Sequence, residues 1–242
     1  MILNGVNVLV TRPQHQAQTL CDLIQQQGGT TLLLPTLDII PLSINPNNLP
    51  KQIDKAIFIS ANAVNYGLHY LTTLKPTQLI AIGKKTAQVL TNKVKQPIFT
   101  TPAPYNSETL LQQPELQNIL GQHIVIFRGQ GGRDLLADTL RQRGANVSYI
   151  DVYQRQKPTT DTTWLEQETI DIVIVTSGES LQNLFSMLKQ QSWLKTTPLV
   201  TMSQRVTHLA RQHTQAAIYT ASVASDEGLL AALLQWKQPV QG

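Results

Sequence analysis

A strand–turn–helix–strand unit that occurs twice limits the fold more than any other feature of this chain. Within His123–Pro158, the run Ile124–Phe127 is β-branched and aromatic, as expected of a parallel strand buried on both faces. The loop Arg128–Arg133 follows it. Leu135, Leu136, Thr139 and Leu140 then recur at helical spacing, with Arg141 and Arg143 in the last turn and Gly144 as the stop. Val147–Val152 is the closing strand, ending at Tyr153 and a polar run bounded by Pro158. The N-terminus repeats the scheme. Val6–Val10 is a strand, Thr11-Arg12-Pro13 a turn, and Ala17, Leu20, Cys21 and Ile24 one helix face; Gly28-Gly29 stops that helix before the strand Thr31–Leu34.

The rest of the chain alternates in the same way. Strands are expected at Ala56–Ile59, Leu79–Ile82, Pro97–Phe99, Ile170–Val175, Leu199–Met202 and Ala216–Tyr219, each followed by a small-residue turn or a loop and then a helix. Thr36–Pro50, rich in Pro and Asn, has no helical period and is expected to be a linker. Ser107-Glu108 is expected to cap a helix that Pro114 interrupts or kinks. Two segments match in residues as well as in order: IFISANAV and LIAIGKKTAQVL correspond to IVIVTSGESL and LVTMSQRVTHLA. Five strands then fall on each side of a division, with the middle set starting at strand three of the scheme.

These features imply an α/β protein of two flavodoxin-like, doubly wound parallel-sheet domains, each with strand order two-one-three-four-five. The second domain, residues 37–154, is a circularly permuted copy inserted into the first, residues 1–36 and 155–242. A two-segment hinge joins them. Ligands of open α/β sheets bind outside the carboxyl ends of the strands, so the function is expected in a cleft there, between the domains.

Composition narrows the chemistry. The 242 residues carry a net charge of +4, mildly favouring an acidic partner, but their Lys and Arg are scattered, against a nucleic-acid surface. The single cysteine, Cys21, falls on a buried helix face, which excludes a disulfide framework or a thiolate metal site. No apolar run approaches the ~20 residues that span a bilayer, and no signal peptide is evident, so a cytoplasmic protein without a membrane partner is expected. Arg128–Arg133 lacks the third glycine of a dinucleotide fingerprint, and no phosphate loop occurs. The histidines His15, His69, His123, His208 and His213 have no metal-ligand spacing, and Ser60, Ser177 and Ser203 lack a nucleophile elbow. What remains is repetition. At least five strand ends pass into helix N-termini, which offer free N–H groups and partial positive charge to carboxylate or phosphate. Plain helix capping accounts for any one of them; many facing one cleft suit a ligand with many negative charges.

The strings VLVTRPQHQAQTL, QGGTTLLLPTLDIIPL, IFISANAV, AIGKKTAQVL, NSETLL, FRGQGGRDLLADTLRQRGANVSYIDVYQRQ, VTSGESLQNLF and SQRVTHLA together resemble the uroporphyrinogen-III synthase family. They cover nearly the whole chain, and their order carries the resemblance. Departures are the helix ends near Lys93-Val94 and His213-Thr214, which lack a glycine often found there, and Ile59 where Thr is common before Ser60. The resemblance implies a substrate, hydroxymethylbilane, with eight carboxylates, closed with inversion of its last ring and without metal or organic cofactor. It implies Tyr153 as the acid that assists hydroxide departure, with a hinge aromatic as the competing role. It places carboxylate contacts at Ser60, Ala61 and Asn62; Gly83, Lys84 and Thr86; Arg128, Gly129, Gly131, Gly132 and Arg133; Ser177, Gly178 and Ser180; and Ser203 and Arg205, with Arg12 a further candidate. A monomer is expected, with a transient contact to the enzyme that supplies the bilane. A cytosolic two-domain ligand-binding or sensor protein without turnover is the alternative.

Overall fold

The computed structural model describes residues 1–45, 47 and 49–238; Pro46 and Asn48 of the expected linker lie outside them. The chain divides into two compact units, Met1–Asp38 with Gln156–Gly242, and Ile39–Arg155. The crossings therefore fall one or two residues later than the expected 36/37 and 154/155.

In the first unit, β1 (Asn7–Val10), β2 (Thr30–Leu33), β9 (Ile172–Val175), β10 (Leu199–Thr201) and β11 (Ile218–Thr220) form a sheet of order β11-β10-β9-β1-β2. All its pairings are parallel. Alternation along the strands explains why the apolar runs are unbroken. Val8, Val10, Ile172, Ile174 and Val200 face α1 (Gln14–Gln26) and α9 (Asp226–Lys237). Leu9, Val173, Val175 and Leu199 face the other way, against α7 (Gly178–Met187) and α8 (Gln204–Ala210). A strand covered on both faces has no polar side to show.

The second unit repeats the plan. Its sheet runs β3-β8-β7-β4-β5-β6, built from β3 (Asp38–Pro41), β4 (Lys55–Phe58), β5 (Gln78–Ala81), β6 (Ile98–Thr100), β7 (His123–Gly129) and β8 (Asn146–Gln156). The pairings from β8 through β6 are parallel. Phe58 and Phe127, partners in register, stack with ring centroids 4.5 Å apart in the core shared with α2 (Ala61–Gly67), the short α3 (Leu71–Leu74) and α4 (Lys84–Thr91). Ile57, Ile80, Ile124 and Ile126 face the opposite layer, with α5 (Ser107–Leu111) and α6 (Leu135–Gln142). Counted from β7, the order is again two-one-three-four-five, with β3 added at the edge beside β8.

That added strand corrects the linker expected over Thr36–Pro50: Asp38–Pro41 lies in the sheet, and the Leu42 N–H donates to the Val152 carbonyl at 3.0 Å. Its neighbour β8 runs three residues past the expected end at Tyr153. Three smaller corrections concern helices. Asn106, not Ser107, caps α5, accepting from the Thr109 N–H at 2.7 Å. Pro114 opens a separate 3-10 turn rather than kinking that helix. Leu135, at the first position of α6, is 41% exposed while Leu136, Ala137 and Leu140 fill the core. No helix among the described residues is long and apolar enough to cross a membrane.

Gly228 sets propensity against packing. It lies in the first turn of α9, where its N–H donates to the capping Ser225 Oγ at 3.1 Å, and a Cβ there would run into the Val223 carbonyl oxygen. Helix propensity favours alanine by about 1 kcal/mol, but a backbone atom cannot turn aside as a side chain can. Gly228→Ala is expected to lower stability by about 1–3 kcal/mol, read as a fall in the urea midpoint; an unchanged or raised midpoint would show that the turn relaxes freely.

Candidate active site

Within each unit, the residues singled out above lie at the carboxyl edge of the sheet. Parallel strands enforce this, because each crossover from a strand to its helix then leaves from the same edge. In the second unit Ser60 follows β4, Gly83 follows β5, and Arg128 and Gly129 end β7. In the first, Arg12 follows β1, Ser177 follows β9, and Ser203 follows β10.

Tyr153 is the most constrained of these residues. Pairing of β7 with β8 is regular up to Arg128 opposite Asp151, then slips so that Gly129 stands opposite Tyr153. The extra residue on β8 is a bulge, which bends a strand and re-aims its side chains. It lays the Tyr153 ring on the Gly129 backbone, where an added Cβ would sit 2.5 Å from Cε2 and 2.6 Å from Cζ. Only glycine fits opposite the ring. The ring is 1% exposed, lies within the second unit's core, and has Tyr66 tilted against it at 6.1 Å. Its hydroxyl lies 3.2 Å from Ser60 Oγ, and Arg155 Nη2 reaches it at 3.5 Å. Sequence reasoning missed Arg155 and Tyr66. Arg155 was available from strand period, since a residue two places along β8 shares Tyr153's face; Tyr66 comes from another element with no such signal.

The serines divide by what their hydroxyls already do. Ser60 Oγ accepts from the Ala63 N–H, and Ser177 Oγ from the Ser180 N–H, both at 3.0 Å, so both are N-caps. The N–H groups of Ala61 and Asn62, and of Gly178, belong to the first turns beyond those caps. Ser203 opens α8 with no side-chain cap bond, and Arg205 is exposed in the same turn. Ser180 is turned inward. It is 2% exposed, and its hydroxyl bonds Thr36 at 2.6 Å and Thr11 at 3.0 Å, so it does not present a side chain at the edge.

Gly83 opens α4 at φ 92, a backbone shape that strains any side chain. Thr86 is buried behind it, its Oγ1 4.0 Å from where a Gly83 Cβ would be. Lys84 holds its ammonium 5.8 Å from the Tyr105 ring centre, and Tyr105 itself has φ 59 and is partly exposed. Nothing in the sequence marked Tyr105, because no local pattern forces a tyrosine into the left-handed region.

The arginines are largely committed to carboxylates of the protein. Arg128 Nε donates to Asp151 at 2.8 Å and Nη1 to Asp134 at 3.1 Å, and its guanidinium lies 3.3 Å over the Tyr149 ring. With a side chain 13% exposed, it is built into the fold rather than held out for a ligand. Arg12 pairs with Asp226 at the start of α9. Arg133 bonds Glu108 at 2.7 Å, but at 70% exposure it is the least confined of the three. Gly131 and Gly132, at φ 78 and 113, form an open turn with no atom near either Cα face. Among the described residues no group of three or more His, Cys, Asp or Glu side chains could hold a metal ion.

The Arg128 bond to Asp134 holds that carboxyl below its ordinary value, chiefly through the hydrogen bond itself. A carboxyl lowered by folding adds stability above its unfolded value, near ~4, and loses it as pH falls through the folded value. Arg128→Gln is therefore expected to destabilise at pH ~7, by on the order of 1–2 kcal/mol for the lost Asp151 bond. The gap to the parent should narrow below pH ~4 as Asp134 takes up its proton. Urea midpoints at both pH values test this; a gap independent of pH would remove Asp134 from the account.

Residues 18–231 match the family model described as uroporphyrinogen-III synthase HemD. The chain is 32% identical to the uroporphyrinogen-III synthase of Escherichia coli (strain K12), over 94% of this chain and 100% of that protein. It is likewise 32% identical to the enzyme of that name from Salmonella typhimurium, over the same shares of both chains. Among solved structures, a uroporphyrinogen III synthase mutant from Thermus thermophilus superposes with TM-score 0.62 at 18% identity, covering 96% of this chain and 98% of its own. The Helicobacter pylori uroporphyrinogen-III synthetase gives 0.59 at 17% identity, over 96% and 99%. The solved structures share the two-domain α/β fold, and the sequence matches run almost end to end: the chain belongs to the uroporphyrinogen-III synthase family.

Proposed function

We propose that this chain cyclises hydroxymethylbilane to uroporphyrinogen III, with loss of water and inversion of the fourth ring. Membership of the family across residues 18–231 carries the reading. The strand-end residues of each unit supply groups suited to the bilane's carboxylates. Backbone N–H groups at Ala61, Asn62, Lys84 and Gly178, the turn Gly131-Gly132, and the side chains of Ser203, Arg205, Arg133 and Lys84 are the contacts we assign. Arg12, Arg128 and Ser180 act instead as supports, since their polar atoms already have partners.

Tyr153 is the general acid in this scheme. With Ser60 donating to the phenol oxygen across 3.2 Å and Arg155 donating at 3.5 Å, the phenol proton is left for the bilane's hydroxymethyl group. The C–O bond breaks as that proton moves, water leaves, and the first ring becomes a resonance-stabilised azafulvenium cation. The substituted carbon of the fourth ring attacks it, giving a spiro intermediate. One bond of the spiro centre breaks, and the fourth ring recloses turned over. Loss of a ring proton restores the pyrrole, and a proton returns to Tyr153. Ser60 and Arg155 stabilise the phenolate between the two transfers. Positioning by the carboxylate contacts supplies the rest.

Incubation with enzymatically generated hydroxymethylbilane, followed by isomer analysis of the oxidised porphyrin, tests the reading. A ligand-binding or sensor protein would leave only the uninverted isomer formed in solution. Tyr153→Phe keeps the ring on Gly129 and removes the donor. It is expected to cost roughly 10- to 1000-fold in turnover, the lower part of the range for general acids, with product shifting toward the uninverted isomer and melting temperature little changed. Ser60→Ala removes a cap as well as a donor, so about 1 kcal/mol of stability should go with a smaller loss of rate. Full turnover and fidelity in Tyr153→Phe would make Tyr153 a packing residue.

A further inference from the structure

At the amino-terminal edge of the first unit's sheet, away from the strand-end residues, lies an open cavity of about 610 Å³. It sits where the chain enters β10 and β11, and is lined by Lys195, Arg211, His213 and Thr214 among others. A second cavity of about 300 Å³ adjoins it, sharing Lys195, Gln212 and His213 and adding Lys189 and the apolar side chains Phe185, Leu188 and Leu194. Together they are within the size of small-molecule sites.

Two properties set this hollow apart from ordinary surface. Its charge has one sign: Lys189, Lys195 and Arg211 line it, no carboxylate does, and none of the three has an ion pair among the described residues. The nearest carboxylate bonded to the lining is Glu166, which accepts from Gln191 at 3.4 Å. Its walls are also fixed. Buried Thr214 donates to the Lys195 carbonyl at 2.6 Å and accepts from the Ala216 N–H at 3.0 Å, tying the loop before β11 to the turn before β10. The His213 ring stacks on Phe185 at 4.9 Å, presenting an aromatic face beside the cations.

We propose that this hollow binds a small organic anion, an aromatic carboxylate, with its ring against Phe185 and His213 and its charge between Lys195 and Arg211. Cations beside a stacked aromatic pair select a ligand with both parts, because a bare anion leaves the Phe185 and His213 rings uncovered and a neutral ring leaves the cations unmatched. The site is separate from the strand-end residues and does not depend on the reaction assigned to them.

The test uses 2-naphthoate as the probe, with neutral 2-naphthamide and inorganic phosphate beside it, followed in amide proton–nitrogen spectra of the full chain. Saturable shifts at Lys195, Arg211 and Thr214 are expected with naphthoate, half-complete near ~1 mM. The double variant Lys195→Gln, Arg211→Gln replaces exposed side chains; it should keep turnover and melting temperature and bind naphthoate at least ~10-fold more weakly. Naphthamide and phosphate should both bind more weakly than naphthoate. The proposal is overturned by shifts confined to the strand-end residues such as Ser177 and Ser203, by equal affinity in the double variant, by naphthamide or phosphate matching naphthoate, or by no saturation at ~10 mM.

Discussion

Burial of both faces of a parallel sheet is the constraint on which everything else in this protein rests. A strand such as Val8-Leu9-Val10 places Val8 and Val10 against one helical layer and Leu9 against the other. Helices must then cover both faces, successive parallel strands of a sheet must be joined by crossovers, and all crossovers must begin at one edge. Function follows from this geometry. Each crossover turn at that edge ends in the first turn of a helix, whose N–H groups have no helical partner. Two sheets built this way produce many polar turns without a single specialised motif, which is why no phosphate loop or metal cluster is needed to explain a polyanionic ligand.

The same constraint decides what the sequence displayed and what it hid. Runs such as Ile172–Val175 could be seen because burial on two faces leaves no polar residue in them. Ser60 and Ser177 could be seen as caps, since each stands just before a helix and bonds the N–H three residues on. By contrast β3 was hidden. Its four residues, Asp-Ile-Ile-Pro, are short, end in proline and lie in a Pro- and Asn-rich stretch, and only the neighbouring β8 makes them a strand. Ser180 looked like a ligand contact from its place after Ser177, but its burial depends on Thr36, 144 residues away in sequence.

Long-range pairing also explains why the arginines were misleading. An arginine after a strand suggests anion recognition, and sequence distance conceals what already satisfies it. Arg12 meets Asp226 across 214 positions; Arg128 meets Asp151 across 23. Both guanidiniums are mostly buried, where an unpaired charge would be costly and a paired one holds loops in place. The consequence for recognition is a division of labour. The buried, paired Arg12 and Arg128 shape the turns, while backbone amides and exposed cations such as Lys84 and Arg205 are the groups left for the proposed ligand contacts. A site of this kind spreads its affinity over many modest contacts, so it can hold a flexible, many-armed substrate without depending strongly on any one side chain.

Tyr153 is the exception to that spreading, and its placement is the product of several local choices acting together. A regular β7–β8 ladder would set a different residue opposite Gly129. The slip after Arg128 sets Tyr153 there, and the missing Cβ of Gly129 lets the ring lie on the backbone. Tyr66 and the core close over the ring, so the only polar atom it carries has few directions to face. Ser60, whose position is fixed because it caps α2, then meets that atom on one side, and Arg155, sharing the same strand face, meets it on another. A phenol held this way loses little entropy on donating its proton, since neither ring nor neighbours need reorganise. The packing therefore limits the directions in which the hydroxyl can act, and the acid role proposed for it needs no movement of the ring.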